Sequence, residues 1–364
     1  MRNFTDSHRV VIKIGTNLLT KDSRFNTKYV HEISSQIAGL RARGLQVLLV
    51  SSGAIGMGAA ELELKSRVKD IKMRQACAAI GQPLLMHQYR DSFGEYGISI
   101  AQVLVTREVF SNRTTFLNLR NSVETLLSLG IIPIFNENDS VSTDEIGSAF
   151  GDNDRLSAMI ASKVDADLLI ILTDIDGLYN GDPRKNRGVS LISSVEEVTD
   201  EILAYAGTEG SEFSTGGMKT KLQAVTIAAN AGCKTILAHG AKTDILKKLI
   251  DGDNEGTVFL EGKKMSARSR WILNSVPLGK INIDKGALEA LQNKNSLLPS
   301  GITSVEGVFD EGDVVSINGV ANAVSKFTST EIENVIGYHS REIPNLLGKG
   351  RKDVIARAED IIFL

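Results

Sequence analysis

The sequence has few of the residues from which several common functional sites are built. Its 364 residues include only two cysteines, Cys77 and Cys233, which form no C-x-x-C pair and are too few for a disulfide framework. The five histidines form no H-E-x-x-H or other metal-binding spacing. The G-x-S-x-G turn of many hydrolases is missing as well. These absences argue against a disulfide-rich protein, a zinc enzyme and a hydrolase with a Ser-His pair.

A strong overall charge and a long apolar run are also missing. The formal net charge is −3, so no general basic field draws the chain to nucleic acid or to an anionic membrane. No apolar run approaches the roughly eighteen residues of a membrane span, and the polar segment 1–9 lacks the apolar core of a signal peptide. With 42% hydrophobic and 23% charged residues, we expect a globular cytoplasmic protein of about two domains.

Short apolar segments alternate with longer helical patterns through most of the chain. Several of the short segments are apolar at nearly every position, as strands buried on both faces are. The predicted strands are Val10–Ile14, Val47–Val50, Ile98–Val105, Ile131–Phe135, Leu168–Leu172 and Thr235–Ala238. The predicted helices are Thr27–Arg43, Met73–Tyr89, Arg113–Ser128, Asp154–Val164 and Lys219–Ala231. This order predicts an α/β fold, with an open, mostly parallel sheet sandwiched by helices.

The alternation stops near residue 263, and the rest of the chain has a different pattern. We predict a first domain over 1–263, a linker over 264–275 and a second domain over 276–364. In the last of these, glycines separate short β-like segments, namely Lys280–Ile283, Gly301–Val305, Asp313–Ile317 and Val354–Ala356. It contains 9 Lys and Arg against 12 Asp and Glu. The pattern therefore predicts a small β-rich domain without an excess of basic residues.

The segment Thr215–Lys221 has the composition of a phosphate-binding turn. Two adjacent glycines, Gly216 and Gly217, let a ligand approach the backbone closely. Lys219 and Lys221 add ammonium groups at the start of a predicted helix, whose free N–H groups suit an anion. The segment does not follow the P-loop pattern G-x-x-x-x-G-K-[ST], so phosphate would be bound on a different scaffold.

Lys13 lies inside the first apolar strand, and Gly15 follows it. Burying a lysine there is unfavourable unless its ammonium meets an anion, so Lys13 is a candidate ligand of a transferred phosphoryl group. The alternative is an edge-strand lysine whose ammonium reaches water. A second glycine-rich turn, Ser51–Gly58, follows another strand. Two such turns after parallel strands favour one shared anion site.

Three polar segments follow strands or begin helices. In Asn136–Asp139 the carboxylate can pair with a substrate ammonium and the amides can bind a carboxylate, although an Asx turn would explain the same residues. Gly151–Ala158 is typical of a helix cap, with a further carboxylate that could orient catalytic lysines or touch a metal ion. Thr173–Tyr179 could hold the ribose and base of a nucleotide or form an ordinary turn.

In their order along the chain these motifs resemble the amino acid kinase family, and within it the kinases that act on the γ-carboxylate of L-glutamate. The matching segments are VIKIGTNLLT, VSSGAIGMG, NEND, GDNDRLSA, LTDIDGLYNGDPR and TGGMKTK. The tail, with GKI, DKGA and SLLPSGI, resembles a PUA domain. The resemblance implies the amino acid kinase fold, ATP as phosphoryl donor, Mg²⁺ held by the ATP phosphates, and L-glutamate as acceptor in the first step of proline biosynthesis.

The same resemblance implies a role for each matching residue. Lys13 and Lys221 would contact the phosphoryl group in transfer, and Asp154 would hold their ammonium groups in place. Glutamate would be bound by Ser52, Asp139, Asn153 and Asn136. The ATP side would comprise Lys13, Thr173, Asp174, Thr215, Gly216, Gly217, Met218, Lys219, Thr220 and Lys221. The segment Thr143–Phe150 departs from the family pattern because it lacks an expected lysine.

Other interpretations stay open on the sequence alone. A kinase of the same fold could act on acetylglutamate, aspartate, carbamate or a nucleoside monophosphate, although Asp139 suits a free α-amino group. RNA binding by the second domain is disfavoured by its net charge of −3, and a structural or regulatory role is the preferred interpretation. We also expect a homo-oligomer, because parallel α/β kinases often self-associate, and L-proline as a candidate feedback inhibitor.

Overall fold

The computed structural model describes residues 2, 4–21, 24–64, 66, 68–106, 109–110, 113–141, 153–181, 188–206, 217–348 and 354–364. The chain divides into two compact units, the first with Met1–Thr106 and Asn118–Lys264, the second with Arg107–Leu117 and Met265–Leu364. The domain boundaries predicted at 263 and 276 stay a prediction. Part of the predicted linker forms a helix, Ala267–Asn274.

The first unit is built on a mostly parallel sheet. Its strands are β1 (Arg9–Ile14), β4 (Gln46–Ser51), β5 (Ile100–Val105), β6 (Ile132–Glu137), β7 (Leu168–Thr173), β8 (Ser194–Val195), β9 (Lys234–His239) and β10 (Thr257–Phe259), with a separate hairpin of β2 (Thr20–Lys21) and β3 (Arg24–Phe25). Within the described residues the sheet order is β5-β6-β4-β1-β7-β9-β10-β8, and only the β9–β10 pair is antiparallel. The predicted fold class and the predicted strands of this unit are confirmed.

Helices connect these strands, as the apolar periodicity predicts. Up to residue 264 they are α1 (Thr16–Leu19), α2 (Thr27–Ala42), α3 (Ala54–Glu61), α4 (Ile71–Gly94), α5 (Arg113–Ser128), α6 (Asn153–Lys163), α7 (Asp200–Tyr205), α8 (Met218–Ala229) and α9 (Ile245–Asp251). Helix α4 begins earlier than predicted because the Asp70 carboxylate accepts a hydrogen bond from the Met73 amide at 2.9 Å and caps its first turn. No helix of the described residues is long and apolar enough to cross a membrane.

Helices α3 and α4 pack with their backbones in direct contact. A methyl group added at Gly58 would lie 1.9 Å from the carbonyl oxygen of Cys77. One added at Gly81 would lie 1.9 Å from the carbonyl oxygen of Ala54. Because both contacts are with backbone atoms, neither position can take a side chain without moving a helix. The two glycines therefore fix the position of α4 relative to the turn that follows β4. They also fix the position of Gln82, which follows Gly81.

The second unit is a smaller mixed β-rich unit. Its strands are β11 (Gly279–Ile283), β12 (Ile302–Gly307), β13 (Val314–Ile317), β14 (Ala321–Val324) and β15 (Ile361–Phe363), in the order β12-β11-β13-β14-β15. Its helices are α10 (Ala267–Asn274), α11 (Lys285–Gln292), α12 (Ser329–Glu333) and α13 (Ile343–Leu347). The predicted β-rich tail is confirmed.

One predicted strand of the tail is wrong. In the segment Val354–Ala356 the structure has only an isolated bridge between Ala356 and Leu297. Both Ile355 and Ala356 are buried, so the apolar pattern is real but reflects core packing rather than strand pairing. Two strands, β14 and β15, were not predicted: the sequence of β14, ANAV, carries little β signal, and β15 has only three residues.

A buried carboxylate ties parts of the second unit together. Asp360 is 1% exposed and contacts Arg268 Nε, while Lys326 Nζ lies 3.3 Å from its other oxygen. Burial by itself would raise the pKa of Asp360, but its two cationic partners outweigh that effect and hold the pKa below its usual range. The cluster joins α10 to the segments that follow β14 and precede β15.

Candidate active site

Lys13 lies near the carboxyl end of the central strand of the sheet. β1 pairs in parallel with β4 on one side and with β7 on the other. The lysine is buried, together with the apolar residues around it. The edge-strand interpretation of Lys13 is therefore wrong, and its ammonium needs a partner inside the protein.

That partner is the carboxylate of Asp154, which also binds Lys221. Lys13 Nζ lies 2.5 Å from Asp154 Oδ1, and Lys221 Nζ lies 2.8 Å from Asp154 Oδ2. Asp154 is fully buried in the first turn of α6, where the positive end of the helix dipole favours a carboxylate. Lys221 is on the buried face of α8, which packs against α6. The structure thus brings together three residues that are far apart in the sequence.

Two ammonium groups share one buried carboxylate in this cluster. Burial would raise the pKa of Asp154, but the ammonium groups of Lys13 and Lys221 together outweigh burial and lower the pKa below its usual value. The carboxylate of Asp154 is thus ionised. A second carboxylate, that of Asp174, is close enough to Lys221 for their charges to interact.

Gly15 keeps the space beside the Lys13 ammonium open. The Gly15 amide donates to the Leu172 carbonyl oxygen at 3.0 Å, which draws the turn after β1 against the end of β7. A methyl group at Gly15 would lie 3.2 Å from that oxygen and 3.8 Å from Lys13 Nζ. The glycine therefore permits the close turn and leaves the ammonium uncovered by a side chain.

A chain of amide side chains begins next to Asp154. Asn153 Nδ2 donates to Ser52 Oγ at 2.8 Å and to Asn136 Oδ1 at 3.0 Å. Asn136 Nδ2 in turn donates to Gln82 Oε1 at 2.9 Å. Ser52, Asn136 and Asn153, which the sequence analysis grouped as substrate ligands, thus lie together. Gln82 on α4 was not predicted.

Asp139 lines a pocket of about 240 Å³ that Gln82 also lines. It follows β6 by two residues and lies on the same side of the sheet as the amide chain. Burial raises the pKa of Asp139 above its usual value, and the nearby Arg74 partly opposes that rise. Because Glu137 lines the same pocket, the site is acidic and suited to an ammonium group.

The predicted nucleotide residues after β7 meet the turn after β1. Asn17 Nδ2 donates to Asp174 Oδ2 at 2.7 Å, and Thr173 Oγ1 donates to Asp174 Oδ1 at 3.1 Å. Burial would raise the pKa of Asp174, but these hydrogen bonds and the charge of Lys221 lower it overall. The carboxylate is thus ionised and held in one orientation beside the lysine cluster.

The glycine–lysine segment is described only from Gly217 onwards; Thr215 and Gly216 lie outside the described residues, as does the segment Thr143–Phe150. Gly217 precedes the first turn of α8, and Thr220 Oγ1 donates to its carbonyl oxygen at 2.8 Å. Met218 lies in that first turn. Lys219 is exposed, whereas Lys221 points into the lysine cluster.

Two residues of the site carried no strong sequence signal. Gln82 stands in the middle of α4 among apolar residues, and a buried amide in such a place is the one hint that it has a polar partner. Asn17 belongs to a recognised motif, but the motif does not reveal its contact with Asp174. Gly58, by contrast, was grouped with an anion-binding turn and instead packs against α4.

The described residues contain no group of three or more His, Cys, Asp or Glu side chains that could hold a metal ion. The carboxylate nearest to the predicted nucleotide side is Asp174, which is ionised.

Two sequence models of known families match the chain. That of the amino acid kinase family matches residues 8–239, and that of the PUA domain matches residues 279–347. The first match contains all three residues of the lysine cluster, and the second lies within the β-rich unit.

Curated proteins similar to the chain over nearly its full length carry one name. The "Glutamate 5-kinase" of Methanosarcina barkeri is 44% identical over 98% of this chain and 96% of its own length. Those of a Thermoanaerobacter species and of Geobacter sulfurreducens are each 43% identical over 98% of this chain and 98% and 97% of their own lengths. Among solved structures, carbamate kinase from Giardia lamblia bound to AMP-PNP matches with a TM-score of 0.50 at 17% identity, covering 71% of this chain and 99% of that one. That likeness concerns the fold alone.

Proposed function

This chain belongs to the amino acid kinase family, and on that premise we propose that it transfers the γ-phosphoryl group of ATP to the γ-carboxylate of L-glutamate, the first step of proline biosynthesis. Its full-length relatives named glutamate 5-kinase support this activity. The single structural observation that supports it best is the buried cluster of Lys13, Asp154 and Lys221, which holds two ammonium groups together at the carboxyl edge of the sheet.

The reaction needs charge neutralisation rather than a base. A glutamate γ-carboxylate is ionised at neutral pH, so one of its oxygens attacks the γ-phosphorus directly. The new carboxylate–phosphorus bond forms as the bond between the γ-phosphorus and the bridging oxygen breaks, and that oxygen keeps the electron pair as ADP leaves. Two ammonium groups fixed by Asp154 would stabilise the negative charge on the transferred group, which is the main requirement of such transition states.

The acceptor side would be formed by the amide chain and the acidic pocket. In this proposal Asp139 binds the α-ammonium group of glutamate, and Ser52, Asn136 and Asn153 orient the molecule. Because Asn153 directly precedes Asp154, one of the residues that would hold the substrate and the residue that holds the lysines share the first turn of one helix. The distance between Asn153, which would orient the substrate, and Asp154, which positions the lysines, is thereby fixed by one helical turn.

The donor side would be formed by the ends of β1 and β7 and the start of α8. Thr173 and Asp174 would bind the nucleotide, and the backbone N–H groups that follow Gly217 would face its phosphates. Thr215, Gly216, Met218, Lys219 and Thr220 are proposed for the same side by their place in the motif. Mg²⁺ bound to the phosphates would neutralise further charge, and Asp174 is the ionised side chain best placed to orient it or its waters.

A coupled assay of ADP release tests the proposed function. We expect turnover with L-glutamate and much less with N-acetyl-L-glutamate, L-aspartate, carbamate or UMP. Trapping the product with hydroxylamine should give the γ-hydroxamate, because an acyl phosphate reacts with that nucleophile. Equal or faster turnover with another acceptor would overturn the assignment of L-glutamate.

Further parts of the proposal concern the setting of the enzyme. We place it in the cytoplasm as a homo-oligomer, with L-proline as a candidate inhibitor and with RNA binding by the second unit disfavoured by its net charge of −3. The same assay with added L-proline, light scattering of the purified protein and filter binding with a structured RNA test these statements one by one.

A further inference from the structure

The pocket beside the amide chain has the size of a single amino acid. Its volume of about 240 Å³ corresponds to roughly eight water molecules at about 30 Å³ each. It is lined by polar side chains from three neighbouring elements, with Gln82 on α4, Gln102 on β5, and Glu137 and Asp139 at and after the end of β6. Such a pocket suits a small ligand with several charged groups.

The charges of the pocket leave one ligand group without a partner. Glu137 and Asp139 suit the α-ammonium group of an amino acid, but they repel its α-carboxylate. That carboxylate needs hydrogen-bond donors, and the lining amides available in the described residues are those of Gln82, Gln102 and Asn138. Gln102 is exposed, and Asn138, whose Oδ1 accepts from Ser140 Oγ at 2.7 Å, is only partly buried. Gln82 is the buried amide, with 8% of its surface exposed.

The hydrogen-bond chain fixes which end of the Gln82 amide faces the pocket. Its Oε1 accepts from Asn136 Nδ2, and Asn136 Oδ1 accepts from Asn153 Nδ2. Turning the Gln82 amide over would place its NH₂ group against that of Asn136, so the chain has one stable direction. Within the described residues, Gln82 Nε2 has no hydrogen-bond partner.

We propose that Gln82 binds the substrate by donating from Nε2 to the α-carboxylate of the amino acid, and that it thereby makes the enzyme prefer an α-carboxylate to an uncharged group at that place. This assignment rests on the proposed function. The close contact of Gly81 with Ala54 holds the neighbouring Gln82 at a fixed depth in the pocket. Gln82 thus binds the substrate through Nε2 and orients Asn136, and through it Asn153, by means of Oε1.

The variant Gln82→Glu separates these two actions. Its carboxylate can still accept from Asn136 Nδ2, but it cannot donate and it repels a substrate carboxylate. At about pH 8.5, well above the ordinary pKa of a carboxyl group, we expect the KM for L-glutamate to rise about 100-fold. The KM for ATP should stay within about threefold. The melting temperature should fall, because the variant buries a further carboxylate beside Glu137 and Asp139.

Gln102→Glu is the matched control. It adds the same charge to the same pocket but lies on β5, and within the described residues its side chain forms no hydrogen bond with the amide chain. We expect it to raise the KM for L-glutamate less than about fivefold. Equal effects of the two variants would show that added charge alone matters and would overturn the assignment of Gln82.

A substrate analogue gives the most specific test. L-isoglutamine keeps the γ-carboxylate that accepts the phosphoryl group but carries an α-carboxamide, which can donate to the carboxylate of the Gln82→Glu variant. The preference of kcat/KM for L-glutamate over L-isoglutamine should fall at least about 100-fold in that variant. If Gln82→Glu fails to fold, Gln82→Met should still bring the preference close to one.

The outcomes are distinguishable from a failure of the proposed function. An unchanged preference in both Gln82 variants, with an active wild type, would overturn the assignment of Gln82 alone. A wild-type protein that releases no ADP with L-glutamate would overturn the function and this assignment with it.

Discussion

Each unit of the molecule contains a buried aspartate between two cationic side chains, and the two clusters differ in where their cations lie. In the first unit the side chains of Lys13 and Lys221 are 7% and 8% exposed. In the second unit the side chain of Arg268, which contacts Asp360, is 42% exposed. The other cation of the second cluster, Lys326, is 14% exposed. Water therefore reaches Arg268 readily but hardly reaches the two lysines of the first cluster, where we propose that the phosphoryl group binds.

The comparison predicts its largest effect for Asp154→Asn. The substitution leaves two buried ammonium groups without a carboxylate, so the lysines would separate or lose a proton and no longer neutralise the transferred group. We expect kcat to fall about 1,000-fold or more, with a KM for L-glutamate within about threefold. Lys13→Ala should act similarly. Steady-state ADP release measures both, and a kcat within tenfold of the wild type would contradict the role of the cluster.

A smaller effect is expected for Asp139→Asn, which tests a buried carboxylate whose pKa is raised rather than lowered. We expect the KM for L-glutamate to rise about 50-fold with kcat little changed, because a ground-state ion pair is lost. Because the pKa of Asp139 is higher in the folded than in the unfolded protein, its negative charge destabilises the fold at neutral pH. Below the unfolded pKa the carboxyl group is protonated in both states, and this destabilisation disappears. The variant should therefore melt at a higher temperature at pH 7, which calorimetry measures. A lower melting temperature there would contradict this account.

Asp360→Asn should change stability and leave catalysis alone. Removing the carboxylate leaves Arg268 and Lys326 without this partner. We expect the free energy of unfolding of the second unit to fall by about 2 kcal/mol. The pKa of Asp360 is lowered in the folded protein, so its stabilisation is complete above the unfolded pKa of about 3.9 and is lost as the pH falls further. The difference between variant and wild type should shrink accordingly below about pH 4. A large loss of kcat without unfolding would show that the two clusters are not separate in function.

The smallest effect is expected for Asn17→Ala, on the donor side of the first cluster. The hydrogen bond from Asn17 to Asp174 orients a carboxylate proposed to bind the nucleotide, so its loss should raise the KM for ATP about fivefold. The KM for L-glutamate should not change. Thr16→Ala, at the exposed neighbouring position, is the control. A change in the KM for L-glutamate equal to that for ATP would point to a general disturbance of the turn.

Much of this arrangement could be predicted from the sequence because it depends on strand ends. Apolar runs such as Leu168–Leu172 identify buried strands, and parallel strands bring the polar residues after them to one edge. That logic places Lys13, Asn136 and Thr173 on the same side of the sheet. The motif order then indicates the family, which composition alone does not.

The rest depends on distances that only the folded chain sets. Lys219 and Lys221 look equivalent in the sequence, yet the helical phase of α8 exposes one and buries the other. Gln82 is remote from every motif and reaches the site because α3 and α4 touch through glycines. In the second unit, Ile355 and Ala356 have the composition of a strand but form only a bridge, since pairing partners are chosen by the tertiary fold.

The central position of β1 has a consequence for how this enzyme can fail. Lys13 is held by ladders of hydrogen bonds on both flanks, so the alignment of its ammonium depends on three adjacent strands at once. Damage far from the pocket, in the cores beneath β4 or β7, would reach the reacting atoms through that shared scaffold. Residues that never contact a substrate can therefore affect the rate of turnover.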